Sequence, residues 1–190
     1  MDQHSHHGNG TGRVLRWSFL ATVIFVTVEF AFGLQARSLA LLSDAGHNLT
    51  DAMSLLLAWF ASYFQTKPAD EVKTYGYHRA GILAAFVNAL VLIVLSAYIF
   101  YESYGRLLAP KPVHEATMLV VAGLGLILNA GIMWGLRRAR KEDLNIRGAF
   151  LHMFGDALGS IGIIAGALVI YHTGWQWIDP VLSIFIGGLI

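Results

Sequence analysis

Polar residues that can bind a cation lie on one face of an otherwise apolar segment. The segment LLSDAGHNLTDAMSLLLAWF, residues 41–60, contains Asp44, His47, Asn48 and Asp51 within about two helical turns. Positions i, i+3, i+4 and i+7 of a helix share one face. An ionised carboxylate in an apolar environment is costly unless it finds a partner. The pattern therefore indicates that these side chains bind something.

A second segment repeats the pattern. In FLHMFGDALGSIG, residues 150–162, His152 and Asp156 are four positions apart, and both segments share the motif H-x-x-x-D-A. Gly155 and Gly159 lie beside them on the same predicted face. Small residues allow membrane helices to approach closely. We therefore expect the two helices to be neighbours.

The composition is that of a membrane protein. Of the 190 residues, 56% are hydrophobic and 13% are charged, whereas a soluble domain has about 25% charged residues. Apolar runs of at least about 17 residues, long enough to cross a bilayer, recur along the chain. We predict an all-α membrane protein, a six-helix transmembrane bundle with a truncated sixth helix and a His-bearing tail at 1–16. The predicted helices lie near 17–34, 38–64, 80–103, 116–136 and 147–171, with the start of the sixth at 178–190.

Basic residues in the predicted loops give the orientation. Ten of them fall on one side of the membrane, at positions 13, 16, 67, 73, 79, 137, 138, 140, 141 and 147. The other side has three, Arg37, Arg106 and Lys111. Because cytoplasmic loops carry the excess of Lys and Arg, the N-terminus is predicted to be cytoplasmic.

Antiparallel packing of the second and fifth helices would bring four ligands together near the middle of the bilayer. These are His47, Asp51, His152 and Asp156. Two nitrogen and two oxygen ligands suit tetrahedral Zn²⁺ or a similar divalent ion. A single pair could instead be polar groups that hydrogen-bond to a neighbouring helix. Two pairs on different helices favour a metal or proton site.

Further polar residues lie on the predicted helices. Asp44 and Asn48 could orient the ligands or line the ion pathway, and packing explains them equally well. Glu29, Asn88 and Asn129 could line the cavity, although hydrogen bonds between helices also explain the two asparagines.

Four stretches of the sequence resemble the cation diffusion facilitator family of zinc and proton antiporters. They are SLALLSDAGHNLTD, YGYHRAGILAAFVNA, LNIRGAFLHMFGDALGS and DPVLSIFIG, in this order, and the resemblance extends from about Phe19 to the end. It implies a six-helix transporter that exports Zn²⁺, often with Cd²⁺ or Co²⁺, in exchange for protons, usually as a homodimer. The family's transport site maps onto His47, Asp51, His152 and Asp156.

The resemblance carries further expectations. Family members continue through a full sixth helix into a C-terminal cytoplasmic domain, and this sequence ends at Ile190 without either, as a fragment would. The sequence lacks the long His-rich insertion of eukaryotic relatives, which favours a bacterial inner membrane. The tail histidines His4, His6 and His7 could gather cytoplasmic metal, with an ordinary polar terminus as the alternative. Asp70 and His78 could form the family's weaker loop metal site, but a solvated charged loop is the favoured interpretation.

Ligand chemistry suggests how transport would be coupled. Histidine binds metal only when neutral and carboxylate only when ionised, so Zn²⁺ and protons compete for the same groups. We expect a secondary transporter, not an enzyme, with no organic cofactor and no nucleic-acid partner. A metal-binding scaffold, a passive channel and a membrane metallohydrolase are the alternatives. The last is disfavoured because a motif such as H-E-x-x-H is missing.

Overall fold

A computed structural model describes residues 8–65, 78–137 and 144–188, which form six α-helices and no strand. The predicted all-α class is confirmed. Each predicted helix has a counterpart, and the main difference is that α1 begins at Gly8, inside the segment predicted as a tail. No proline interrupts residues 8–36, so the helix can continue beyond the apolar span. The helices are α1 Gly8–Ala36, α2 Leu39–Gln65, α3 His78–Leu108, α4 Glu115–Leu136, α5 Leu144–Thr173 and α6 Ile178–Gly187.

Four of the described helices contain a stretch that is long and apolar enough to cross a membrane. The stretches are Trp17–Ala36, Ala85–Leu108, Glu115–Leu136 and Ile146–Thr173. Large apolar side chains on these helices point outward, such as Ile82, Leu90 and Ile127. Such a surface would be costly in water and is the surface that lipid requires.

The helix pairs differ in how extensively they contact each other. The most extensive contact is between α4 and α5, whereas α2 packs mainly against α1, α3 and α6. As predicted, α2 also meets α5, but only over a short stretch. At that stretch a Cβ atom added to Gly159 would lie 3.5 Å from Asp44 Oδ1, whereas one added to Gly155 would meet no described residue within 4 Å. The expectation that Gly155 permits close helix packing is therefore wrong.

One end of the bundle is closed by hydrogen bonds, and we call it the capped end. It comprises the connections 37–38, 109–114 and 174–177. Arg37 adopts a left-handed conformation, with φ of 55°. The Arg37 and Ser38 amides donate to the Leu34 and Gly33 carbonyls, at 3.2 and 3.1 Å. This Schellman motif ends α1 and turns the chain directly into α2.

Asp179 joins the start of α6 to the start of α2. Its carboxylate accepts hydrogen bonds from Ser38 Oγ at 2.5 Å and from the amides of Leu39 and Ala40 at 2.8 and 3.2 Å. Arg106 Nη1 lies 3.7 Å from Asp179 Oδ2 and also donates to the Arg37 carbonyl. The first amides of α2, which have no partner within the helix, are thereby satisfied by a negative charge.

An apolar core adjoins the capped end. It consists of Ala36, Ala40, Leu41, Val113, Met118, Val121, Ala122, Ile163, Ala167, Ile170 and Ile186. A smaller cluster of Ile132, Leu136 and Ile146 joins α4 to α5 at the opposite end. The larger core joins five of the six described helices, and Arg106 of α3 adds the sixth through its contacts with Arg37 and Asp179. Together they position α2 against its neighbours.

Candidate metal site

The two predicted histidine–aspartate pairs meet where α2 contacts α5. His47 Nε2 lies 3.5 Å from Asp51 Oδ2 and 3.8 Å from Asp156 Oδ1. His152 Nε2 lies 3.3 Å from Asp51 Oδ2 and 3.7 Å from Asp156 Oδ2. The imidazole centroids of His47 and His152 are 6.0 Å apart. Residues more than 100 positions apart in sequence therefore form one cluster.

These four distances are close to those between the ligands of a tetrahedral ion. With metal–ligand bonds of about 2.0–2.2 Å, adjacent ligand atoms of a tetrahedron lie about 3.3–3.6 Å apart. Each histidine faces both aspartates at N···O distances of 3.3–3.8 Å, with His47 facing Oδ1 of Asp156 and His152 facing its Oδ2. Ligand atoms of His47, His152 and Asp156 all lie within 4.8 Å of one another, and Asp51 lies beside both imidazoles. The four groups would draw closer together to surround one ion.

Both aspartates have an oxygen that lies near an imidazole but accepts no hydrogen bond of normal geometry from the described residues. Asp51 Oδ2 and Asp156 Oδ2 are buried and make no hydrogen bond with the described residues. A buried polar atom without a partner is rare in native proteins and calls for an explanation. A divalent cation between the two carboxylates would satisfy both oxygens and offset both charges.

The ligands differ in exposure along the bundle. The side chains of Asp51 and His152 are 35% and 39% exposed, whereas those of His47 and Asp156 are 25% and 3% exposed. In each pair the more exposed residue, Asp51 on α2 and His152 on α5, is also the one farther along its helix from the capped end. Access to the cluster therefore increases away from that end.

Three of the flanking polar residues group together beside the cluster. Glu29 of α1 is completely buried, and the polar groups within reach of its carboxyl are Asp44 and Asn48 of α2. Asn88 of α3 has a buried Oδ1 without a partner among the described residues, and Asn129 of α4 is buried. Asp44, Asn48 and Glu29 therefore belong to one environment, whereas no contact joins Asn88 or Asn129 to it in the described part of the chain.

The predicted secondary sites fall largely outside the described residues. His4, His6 and His7 precede residue 8, and Asp70 lies in the segment 66–77. His78 begins α3, but its side chain is not described. These sites remain predictions.

Comparison with known proteins identifies the family. A family model described as the cation efflux transmembrane domain matches residues 15–190. The chain belongs to this family. The cation efflux family is the one that the sequence motifs indicated, so the predicted family is confirmed.

Several bacterial members of the cation efflux family are similar over nearly all of this chain. The metal cation efflux system protein CzcD of Cupriavidus metallidurans is 44% identical over 97% of the chain. The zinc transporter ZitB of Pectobacterium atrosepticum is 45% identical over 98%. A protein of Bacillus subtilis named cadmium, cobalt and zinc/H(+)-K(+) antiporter is 41% identical over 98%.

The chain spans about three fifths of the length of these relatives, since the matches cover 58%, 59% and 61% of them. The family model covers α2 to α6 and all but the first seven residues of α1. The apolar helices and the bacterial relatives confirm the predicted location, a multi-pass protein of the bacterial plasma membrane.

Sequence reasoning missed the residues that close the capped end. Asp179, Ser38 and Arg106 received no role, although a serine directly before an apolar run is a signal for a helix N-cap. Nothing local connects Asp179 to Ser38, because 141 positions separate them. Only the packing of α6 against α2 brings them together.

Proposed function

We propose that this chain forms the transport pathway of a divalent-cation exporter, with Zn²⁺ as its main cargo and protons as the exchanged ion. The observation that carries the proposal is the cluster of two imidazoles and two carboxylates with N···O distances of 3.3–3.8 Å. His47, Asp51, His152 and Asp156 are the proposed ligands. Borderline divalent ions such as Zn²⁺ favour this mixture of nitrogen and oxygen.

The names of the relatives support this choice of cargo. The relatives are named for zinc transport, for metal cation efflux and for exchange of cadmium, cobalt and zinc. The same four side chains would accept Cd²⁺ and Co²⁺, because both ions bind imidazole and carboxylate. Zn²⁺ is the ion whose preferred tetrahedral geometry the cluster resembles most closely.

Competition for the ligands supports proton exchange. Zn²⁺ requires neutral imidazoles and ionised carboxylates, so binding displaces any proton that these groups hold. Proton binding on the other side of the membrane would release the ion again. The Bacillus subtilis relative is named as an H⁺ antiporter, which agrees with this scheme.

Alternating access is the mechanism that we propose for the exchange. The capped end is closed by the Asp179 hydrogen bonds and the larger apolar core, whereas Asp51 and His152 are accessible away from it. In the predicted orientation the accessible side is the cytoplasm, where an exporter loads its cargo. Since α2 meets α5 over only a short stretch, these helices could move against each other to expose the ligands at the capped end.

Direct metal binding tests the site. The purified chain, with His4, His6 and His7 changed to Ala to silence the tail, should bind about one Zn²⁺ with four ligands. Asp51→Ala and Asp156→Ala should each abolish this binding, because two negative charges are needed to hold the ion. Glu115→Ala, which removes an acid at the capped end, is the matched control. Full binding by both aspartate variants would refute the site.

Flux measurements test the function. In sealed vesicles with an imposed proton gradient, Zn²⁺ movement should be accompanied by protons moving in the opposite direction. Zn²⁺ flux without proton movement would indicate a channel, and binding without flux would indicate a scaffold. The expected homodimer is a separate part of the proposal, and the mass of the detergent-solubilised chain tests it.

A further inference from the structure

Glu29 is a buried acid in the middle of a predicted membrane span. It lies in α1, its exposure is 0%, and neither of its carboxyl oxygens accepts a hydrogen bond of normal geometry from the described residues. An intramembrane acid is costly and is retained where it has a function. The metal cluster does not account for Glu29, because Glu29 is not one of the four proposed ligands.

The carboxyl of Glu29 faces a second carboxyl. Asp44 of α2 interacts with it directly, and Asn48, one turn further along α2, is the other polar group within reach. Asp44 is 3% exposed and Asn48 is 6% exposed. The backbone of α5 closes the space at Gly159, where an added Cβ atom would lie 3.5 Å from Asp44 Oδ1. The two carboxyls are therefore enclosed by α1, α2 and α5.

No fixed cation balances this pair. The other charged or titratable groups that act on Glu29 or Asp44 are Asp156 of α5 and His47 of α2. Among the described residues no lysine or arginine acts on either carboxyl. The charge of Asp156 adds to the repulsion between the two carboxyls, and of these two groups His47 acts in the opposite direction.

Two adjacent carboxyls in a buried place cannot both be ionised at small cost, because like charges repel strongly where water is excluded. One proton shared between them removes one charge and supplies the missing hydrogen bond, as in other carboxyl pairs. The amide of Asn48 can donate to the remaining charge. The arrangement of these three side chains is therefore that of a site for one proton.

We propose that Glu29 and Asp44 together bind one exchangeable proton, at a site separate from the four metal ligands. The proposal rests on the proposed function and adds a second group of proton carriers to it. Along α2, Asp44 lies about 4–5 Å closer to the capped end than His47. The pair therefore lies between the metal ligands and the side to which the cargo would be released.

Zn²⁺ binding is expected to release this proton. A bound ion adds positive charge beside His47 and Asp156, the two groups that act on the pair. Added positive charge favours ionisation of a nearby carboxyl. The proton would leave as the metal loads and would return once the metal has left.

Proton release on Zn²⁺ binding tests the proposal. The purified chain without the tail histidines is titrated with Zn²⁺ in weak buffer at pH 7.5, and a pH dye counts protons while a metal assay counts bound ions. Protons released by the histidine ligands are common to the unaltered chain and to variants of the pair, so the contribution of the pair is the difference between them. This difference should be about one proton per ion. Glu29→Gln, which keeps the shape but cannot release that proton, should remove this contribution and leave Zn²⁺ stoichiometry unchanged.

Two further variants complete the test. Asp44→Asn should remove the same proton, and the double variant should lose no more than either single one, because a single proton is shared. The double variant also removes both charges and serves if a single variant does not fold. Glu115→Gln, an acid at the start of α4, should behave like the unaltered chain.

The outcomes separate this proposal from the proposed function. Normal Zn²⁺ binding with equal proton release by the unaltered chain and by Glu29→Gln would overturn the shared-proton site alone. Losses of one proton in each single variant and of two in the double variant would also overturn it, since each acid would then act independently. A failure of the unaltered chain to bind Zn²⁺ would overturn the proposed function and this proposal together.

Discussion

Asp179 and Glu29 are both completely buried acids in this helical bundle. They differ in their hydrogen-bond donors and in the charge of their neighbours. Asp179 accepts three hydrogen bonds at the start of α2 and has Arg106 beside it. Glu29 has no hydrogen-bond partner of normal geometry in the described chain and faces another acid. The fold supplies Asp179 with three donors and a counter-charge, whereas it places a second acid beside Glu29.

The difference separates a structural carboxylate from one that must change its state. Hydrogen bonds and a counter-charge hold Asp179 in one form and fix the ends of α2, α3 and α6 relative to each other. A group that exchanges a proton must be stable in two forms, so the fold cannot satisfy one of them completely. The cost of an uncompensated acid is accepted where function needs it.

The largest expected effect is the loss of the compensated carboxylate. Asp179→Ala leaves Arg106 and the first amides of α2 without their partner in a buried place. We expect a loss of about 3–5 kcal/mol in the free energy of unfolding, the usual cost of breaking a buried pair from one side. Denaturant titration in detergent, followed by circular dichroism, measures it.

Asp179→Asn is the control for this measurement. It retains an oxygen that can accept part of the hydrogen bonds, so its loss should be clearly smaller than that of Asp179→Ala. Equal stability of Asp179→Ala and the unaltered chain would mean that the carboxylate does not hold the capped end together.

A smaller effect is expected at Ser38. Its Oγ donates to Asp179 and accepts from the Leu41 amide at 3.2 Å, the position of a helix N-cap. Ser38→Ala should therefore cost about 1 kcal/mol, as for other N-cap serines. Ser43→Ala is the matched control, because Ser43 is also buried on α2 but bonds only to its own helix, at the Leu39 carbonyl.

The same denaturant titration measures both serine variants. If Ser38→Ala costs no more than Ser43→Ala, the bond to Asp179 contributes nothing beyond that of an ordinary buried serine.

The smallest effect on stability is expected at Glu29. Glu29→Gln removes no hydrogen bond of normal geometry and no counter-charge, so unfolding should change by less than about 0.5 kcal/mol. Thermal unfolding in detergent, with Asp179→Asn measured alongside, checks this. A loss of stability as large as that of Asp179→Asn would show that both acids have a structural role.

Much of the fold follows from residue type and periodicity. Apolar runs of membrane length predict α1 to α5 to within a few residues at most ends, because in lipid the backbone must satisfy its own hydrogen bonds. The start of α1 at Gly8 did not follow, since residues 8–16 are too polar to belong to an apolar run. The role of Gly155 was also misjudged, because the spacing of small residues does not tell which neighbour they face.

The sequence by itself determined the helices, the family and the four candidate ligands, because helical spacing puts His47 with Asp51 and His152 with Asp156 on common faces. Only the tertiary structure decided which groups share a space. It joined the ligand pairs at 3.3–3.8 Å, enclosed Glu29 with Asp44 and linked Asp179 to Ser38. Periodicity is a property of one helix, whereas each of these contacts depends on how separate helices pack, and no local rule encodes that.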